Sequence, residues 1–499
     1  MGEPVTAETG LRYASGPGRW VLAATVLGSA IAAIDATVVG IALPAIGRDF
    51  STDMATLQWV VTAYTLTLAG LLLVAGALGD RYGRRRVFLI GVIWFALASV
   101  LCGIAPNAPV LIAARALQGV GAALLTPGSL AILEASFAPE DRGRAIGAWS
   151  GLSGAATAIG PFLGGWLVDA GSWRLIFAIN LPIAALVVAM AWQHVQESHD
   201  PEATGRVDMT GGALVTLGLV GLTYGLIEGP NSGWTSPAVL TALVGGVLFL
   251  AAFAVQEYRT RNPMLPLSLF SSTQFTATNV VTFVVYGALG GALFLLPIQL
   301  QQVSGYTALQ AGISLLPLTV IMLALSARSG ALAARIGPRL QMSVGPILVG
   351  AGLALFILVD GDGDYLTEVL PAVTVLGLGL ATTVAPLTAT VLAAVPARHA
   401  GIASAVNNDV ARAAALIAVA VLPAAAGITG AAYLHPAQFS KGFHTAALIS
   451  AGLCVVGGLV AALTIRNPAR VPAVPGPPTA PARMHCGLDA PPAHATTAA

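Results

Sequence analysis

Two charged residues lie deep inside uninterrupted apolar runs, Asp35 in the run that begins at Trp20 and Arg115 in the run that begins at Pro109. A charge in hydrocarbon costs on the order of a few kcal/mol unless it is paired or hydrated, so an ionisable residue at that depth is a functional hypothesis by default. With a rise of 1.5 Å per residue, Asp35 stands roughly 22 Å from the inner end of its run and Arg115 about 9 Å from the outer end of its own, nearly one depth in a core of about 30 Å. The two can therefore pair. Burial disfavours an ionised carboxylate and a neighbouring guanidinium favours it. A conformational change that varies their separation would take up and release a proton, which makes Asp35 and Arg115 the candidates for proton coupling. The competing explanation is a static ion pair that only fixes helix packing.

A second pair, Asp409 and Arg412, is spaced to meet on one helix face. These two either neutralise each other or form a second polar site. Glu134 and Glu228 fall at the ends of apolar runs, where solvation is expected, with Glu228 a further candidate for coupling. Tyr64, Gln118, Gln299 and Gln301 are placed to meet a substrate or simply to pack. His194 and His199 stand near Glu197, Asp200 and Glu202, but without tight ligand spacing they are expected to form a solvated linker and not a metal site. No catalytic residue and no metal ligand set is assigned.

These charges are positioned by an unusual composition. Of 499 residues, 56% are hydrophobic and only 9% charged, against about a quarter charged in ordinary soluble domains. The apolar residues come in runs of about 20, the length that spans a bilayer. The net charge of +1 says nothing about nucleic acid, and without a basic stripe nucleic-acid binding is not supported. Cys102, Cys454 and Cys486 are far apart and are expected to be free thiols.

Apolar runs between charged or Pro/Gly-rich breaks predict fourteen membrane helices, near 20–46, 56–79, 87–105, 109–134, 143–168, 174–192, 207–228, 236–256, 273–300, 306–327, 341–359, 366–395, 400–427 and 442–464. An even count puts both termini on one side. With the N-terminus inside, Arg12, Arg19, Arg81, Arg84, Arg85, Arg86, Arg142, Arg144, Arg206, Arg259, Arg261, Arg328, Arg335, Arg339, Arg398, Arg466, Arg470 and Arg483 all fall on the inner side. Only Arg48, Arg174 and Lys441 fall outside, together with the acidic stretch Asp360, Asp362, Asp364 and Glu368. Because short cytoplasmic loops retain Lys and Arg, both termini are expected in the cytoplasm.

An internal echo divides the chain. GALGDRYGRR (Gly76 to Arg85) after the second helix matches GALAARIGPR (Gly330 to Arg339) after the tenth, with Ala334 in place of Asp80. RGRAIGA (Arg142 to Ala148) is echoed by RHAGIAS (Arg398 to Ser404) at the same offset of eight helices. The expected organisation is a cytoplasmic segment 1–19, a six-helix bundle 20–192, a linker 193–262 with two inserted helices, a second six-helix bundle 263–465, and a disordered cytoplasmic tail 466–499. Parallel repeats of six helices point to a transporter with its site between the halves.

The motifs themselves resemble the major facilitator superfamily, in particular its fourteen-helix drug:proton antiporter branch. GALGDRYGRRRV (Gly76 to Val87) resembles the superfamily's cytoplasmic loop signature. IDATVVGIALPAI (Ile34 to Ile46) resembles the LDxTVVNVALP signature, with Gly40 where Asn is usual. ARALQGVGAALLTPGS (Ala114 to Ser129) resembles the arginine-containing motif, and GLSGAATAIGPFLGGWL (Gly151 to Leu167) the antiporter motif. WRLIFAINLP (Trp173 to Pro182) and ASAVNNDVAR (Ala403 to Arg412) also look like this branch.

The resemblance implies gating by Asp80, Arg81, Gly83 and Arg84, and an exporter-associated helix built on Gly151, Gly160, Pro161, Gly164 and Gly165. From the residues themselves, Asp80 can pair with arginines or cap a helix, Gly160 and Pro161 are expected to disrupt the fifth helix, and Gly164 with Gly165 leaves a flat face for a neighbour. Ala334 removes the acidic half of the mirrored signature.

The expected function is a secondary exporter of amphipathic or cationic drugs or antibiotics. It would run on the proton gradient without a cofactor, in the lipid bilayer of the cell membrane, and as a monomer. The alternatives are an uptake symporter or a non-transporting receptor. An ATP-driven pump is disfavoured, since the chain has no GxxxxGK[ST] and its one lysine is Lys441. No nucleophile motif suggests an enzyme.

Overall fold

Within hydrocarbon no water can satisfy backbone N–H and C=O groups, and the helix answers that need locally. The computed structural model describes residues 10–200, 207–260, 263–361, 363–396 and 400–467. In it fourteen helices are long and apolar enough to span a bilayer. They are α1 (Gly16–Phe50), α2 (Met54–Tyr82), α3 (Arg84–Gly103), α4 (Ala108–Ser136), α5 (Pro139–Asp169), α6 (Leu175–His194), α7 (Met209–Ser232), α8 (Pro237–Arg259), α9 (Thr273–Val303), α10 (Ala308–Ile336), α11 (Pro338–Leu358), α12 (Tyr365–Ala393), α13 (Ala400–Ala425) and α14 (Pro436–Thr464). Among the described residues there is no strand beyond an isolated bridge of Leu11 with Phe137. Residues 1–9, Arg206, Arg261, Asp362, Arg398 and the expected tail past Asn467, including Arg470, Arg483, His485 and Cys486, lie outside the described residues.

Polar side chains set the starts of these helices. Ser15, Asp53, Asn107, Asp208, Ser236 and Ser272 each accept a hydrogen bond from a first-turn N–H of α1, α2, α4, α7, α8 and α9, and Thr307 with Gln310 forms a capping box on α10. The helices outrun the hydropathy boundaries, because charged residues at a helix end are solvated and do not stop the backbone ladder. Thus α10 continues to Ile336, and the stretch Gly76 to Arg86 is not a loop. All of it is helical except Gly83, which has φ +110°; Gly337, with φ +87°, makes the matching break between α10 and α11. Each break demands glycine because its φ is strained for an L side chain. Pro161 does not break α5, which runs unbroken through it.

Packing obeys the eight-helix offset seen in the motifs. In the first half α1 packs on α5 and α6, α2 on α4, and α3 on α4 and α6; in the second α9 packs on α13 and α14, α10 on α12, and α11 on α12 and α14. The seam between halves repeats the relation, with α2 on α13, α5 on α10, and α1 on α9. The inserted α7 and α8 form a hairpin whose α7 leans on α2 and α13. The architecture is two six-helix bundles with a two-helix insertion.

Candidate functional site

The two halves are joined by side-chain hydrogen bonds at the end of the bundle where α1 and α5 finish. Asp169 at the end of α5 accepts from the N–H groups of Ala308 (3.2 Å) and Leu309 (2.9 Å), a carboxylate set on the positive end of α10. Gln301 donates to the Ile41 carbonyl at 2.9 Å, and Gln58 to the carbonyls of Val419 (2.6 Å) and Ala420 (3.2 Å). Towards the other end the seam parts. There α5 buries only Ala145 before Gly160, and α10 from Leu316 to Ile336 buries only Ala333.

The glycines of α5 make the closed part possible. A Cβ at Gly160 would strike Thr37, and one at Gly164 would strike Val38, both on α1; one at Gly165 would lie 2.6 Å from Leu309 Cα. The reciprocal glycine, Gly312 of α10, faces Pro161 and Phe162. Three helices, α1, α5 and α10, thus meet at distances that a side chain at these glycines prohibits. Gly151 has no such neighbour and stands in open space.

Beside this seam, inside the first half, Asp35 and Arg115 form an ion pair, each 1% exposed. The second carboxylate oxygen of Asp35 accepts from Gln118 Nε2 (2.8 Å) and Asn180 Nδ2 (3.0 Å). Arg115 also donates to Gln118 Oε1 (2.6 Å) and, through Nε, to the Val60 carbonyl (3.2 Å), and its guanidinium lies 4.3 Å from the centre of the Tyr64 ring. Ser99 Oγ accepts from both Gln118 (2.8 Å) and Asn180 (3.2 Å). The charges therefore sit in a network drawn from α1, α2, α3, α4 and α6. Such a network is required because a buried charge pair recovers its desolvation cost only when its remaining lone pairs and protons are also satisfied.

Sequence spacing brought Asp35 and Arg115 to one depth. It did not show Asn180 or Ser99 beside them. Gln118 and Tyr64 are parts of this network, whereas Gln299 binds the Val359 carbonyl and Ser440 within the second half.

Asp409 and Arg412 do not meet as the close pair that their spacing allows. No ion pair joins them among the described residues, and Asp409 Oδ1 and Arg412 Nε are buried without partners. Nor is Glu228 a free solvated carboxylate, since it accepts from Trp59 Nε1 at 3.0 Å and so ties α7 to α2.

At the parted end, Asp80 accepts from Arg84 through Nε (2.9 Å) and Nη2 (2.8 Å). Arg81 is exposed, with its guanidinium 5.5 Å from the centre of the Tyr82 ring. The segment after α6 is not simply a solvated linker. Ser198 accepts from the Arg84 N–H (2.8 Å), the Asp200 N–H donates to the Asp80 carbonyl (2.9 Å), and the Glu197 carboxylate accepts from the N–H groups of Arg85 (3.0 Å) and Arg86 (3.1 Å). Glu197 thereby caps α3, whose preceding residue, Gly83, has no side chain to do so. Among the described residues no group of His, Cys, Asp and Glu is arranged to hold a metal ion, and Cys102 and Cys454 are buried free thiols.

The family profile of the Major Facilitator Superfamily matches residues 25–420. The chain is 39% identical over 389 residues to the "Multidrug resistance protein Stp" of Mycobacterium tuberculosis (strain CDC 1551 / Oshkosh), covering 78% of this chain and 72% of that one. It is 35% identical over 458 residues to the "Methylenomycin A resistance protein" of Streptomyces coelicolor (strain ATCC BAA-471 / A3(2) / M145), covering 91% and 94%. It is 34% identical over 417 residues to the "Tetracenomycin C resistance and export protein" of Streptomyces glaucescens, covering 84% and 77%. Among solved structures, a bacterial homologue of the human lysosomal transporter Spinster, inward-facing and unoccupied, aligns with TM-score 0.65 at 17% identity over 90% of this chain and 97% of that one, a likeness of fold alone.

Proposed function

Since the chain belongs to the Major Facilitator Superfamily and is a multi-pass membrane transporter, not an enzyme, we propose that it exports drugs or antibiotics across the cell membrane in exchange for protons. The observation that carries the coupling is the Asp35–Arg115 pair, sealed within the first half, with Asp35 on α1, one of the helices that line the seam. On α1, Asp35 faces the buried network while Thr37, Val38 and Ile41 face α5 and the second half. Protonation of Asp35 would loosen its hold on Arg115, Gln118 and Asn180 and free α1 to shift against Gly160 and Gly164. A proton is taken up in one conformation and released in the other, and alternating access follows as the seam closes at one end and parts at the other. The relatives' names, resistance and export proteins, support outward transport of a small organic molecule over uptake.

With both termini in the cytoplasm, as the arginine distribution favours, the parted end opens inward, where a substrate for export would enter. The proton gradient is the energy source, no cofactor is required, and one copy of the chain suffices.

The test is proton movement in inside-out vesicles carrying an imposed pH gradient, read across a panel of cationic dyes and antibiotics. Addition of a transported compound is expected to drive proton efflux. A correctly inserted protein that accumulates a compound with no linked proton flux would overturn the coupling.

Asp80 and Arg84 are assigned to gating at the inner end. Replacing Asp80 by Asn removes the negative charge that pairs with Arg84 and is expected to lower kcat severalfold with little change in KM, because the residue acts on the conformational step and not on the substrate. A raised KM with unchanged kcat would remove Asp80 from the gate.

A further inference from the structure

Between α3 and α6, on the outer face of the first half, lies an apolar groove of about 620 Å³. Its floor is small side chains, among them Ala96, Ala185 and Ala189, and its walls include Leu97 and Trp192, which are 61% and 69% exposed. The helices are held together at both ends of it. At one end the residues after α6 bind the first turn of α3, and at the other Gly103 lies against Phe177. The alanines leave the space between.

We propose that this groove binds an acyl chain of an anionic phospholipid whose phosphate is held by Arg86. Three observations select that occupant. From Leu181 to Gln193 the groove runs along thirteen residues of α6, about 18 Å at 1.5 Å per step, close to the half of a roughly 30 Å core that one leaflet's chains fill. It ends at Trp192 and Gln193, an aromatic and a polar residue of the kind that sit at headgroup level.

The charges at that end are also complementary to phosphate. Arg86 is exposed and lies two helical turns from Ile93 on the same face of α3. The Arg85 guanidinium lies 5.8 Å from the Trp192 ring, donates Nη1 to the Val195 carbonyl, and leaves Nε without a hydrogen-bond partner. The carboxylate there, Glu197, is occupied by the Arg85 and Arg86 N–H groups and lies 4.0 Å from Arg85. His194 stacks on Trp20 and contacts the Met190 carbonyl. Basic pockets between membrane helices at headgroup depth are suited to anionic lipid.

The experiment is native mass spectrometry of the full chain, titrated separately with dioleoylphosphatidylglycerol and dioleoylphosphatidylcholine. Wild type is expected to retain the anionic lipid severalfold better. Arg86→Gln should abolish that preference while keeping residual binding of both lipids, and Ala189→Phe, which fills the groove from an exposed position, should lower binding of both. Equal retention of the two lipids by wild type would overturn the proposal. So would anionic lipid binding untouched by Ala189→Phe, which would mark loose attraction to surface arginines. Displacement of the lipid by a dye that the protein transports would assign the groove to substrate instead. None of these outcomes depends on proton coupling.

Discussion

Asp35→Asn is expected to bring substrate-linked proton movement to background while the protein remains in the membrane. The amide keeps the shape of the carboxylate but cannot cycle a proton, and it leaves Arg115 buried without a counter-ion. Breaking a buried pair by removing one partner costs about 3–5 kcal/mol, so a loss of transport alone would not separate coupling from misfolding. The double variant Asp35→Asn with Arg115→Gln does separate them, since it removes both charges and keeps hydrogen-bonding groups for Gln118, Asn180 and Ser99. If Asp35 is the coupling group, the double variant regains thermal stability yet moves no protons. Recovery of proton-coupled transport in the double variant would show that the pair is static and only fixes the packing of α1 on α4.

The second large effect is expected at the seam. In Gly165→Leu the new side chain starts 2.6 Å from Leu309 Cα and 2.7 Å from the Ala308 carbonyl carbon, both backbone atoms. Neither can swing aside as a side chain would. The first turn of α10 is further fixed by Asp169 and by its own capping box. The closed seam should therefore be lost and the opposite conformation should accumulate, with transport reduced by at least about tenfold, a loss of about 1.4 kcal/mol or more from the conformational cycle.

Spin labels at Gly171 and Leu366 in a cysteine-free background read this directly. Gly171 has open space around it and Leu366 is 67% exposed. The label-to-label distance should lengthen in Gly165→Leu. An unchanged distance with normal transport would show that α5 and α10 tolerate the side chain and that their close approach is not required.

Much of this was legible in the chain alone. Fourteen spans follow from apolar runs because the bilayer imposes one thickness on every helix, so length and polarity along the chain suffice to find them. The pairing of Asp35 with Arg115 was accessible for the same reason, since depth is a one-dimensional quantity measured by residue count. The eight-helix offset of the Gly76 and Gly330 motifs likewise foretold the repeated packing of the two halves, down to the paired positive-φ glycines Gly83 and Gly337.

Rotation about each helix axis and the choice of neighbour were decided only by the tertiary structure. Asn180 and Ser99 enter the charge network because α6 and α3 turn those faces inward, a result of side-chain packing summed over several helices that no local pattern records. The same cause left Asp409 and Arg412 apart despite their helical spacing, and set Glu197 on the first turn of α3. Which end of the seam closes was equally hidden, because the glycines of α5 permit close approach but their partners, Leu309 and Gly312, lie far along the chain and are found only when the two halves meet. Sequence determined what the bilayer can measure along a single helix; contacts between helices required all of them at once.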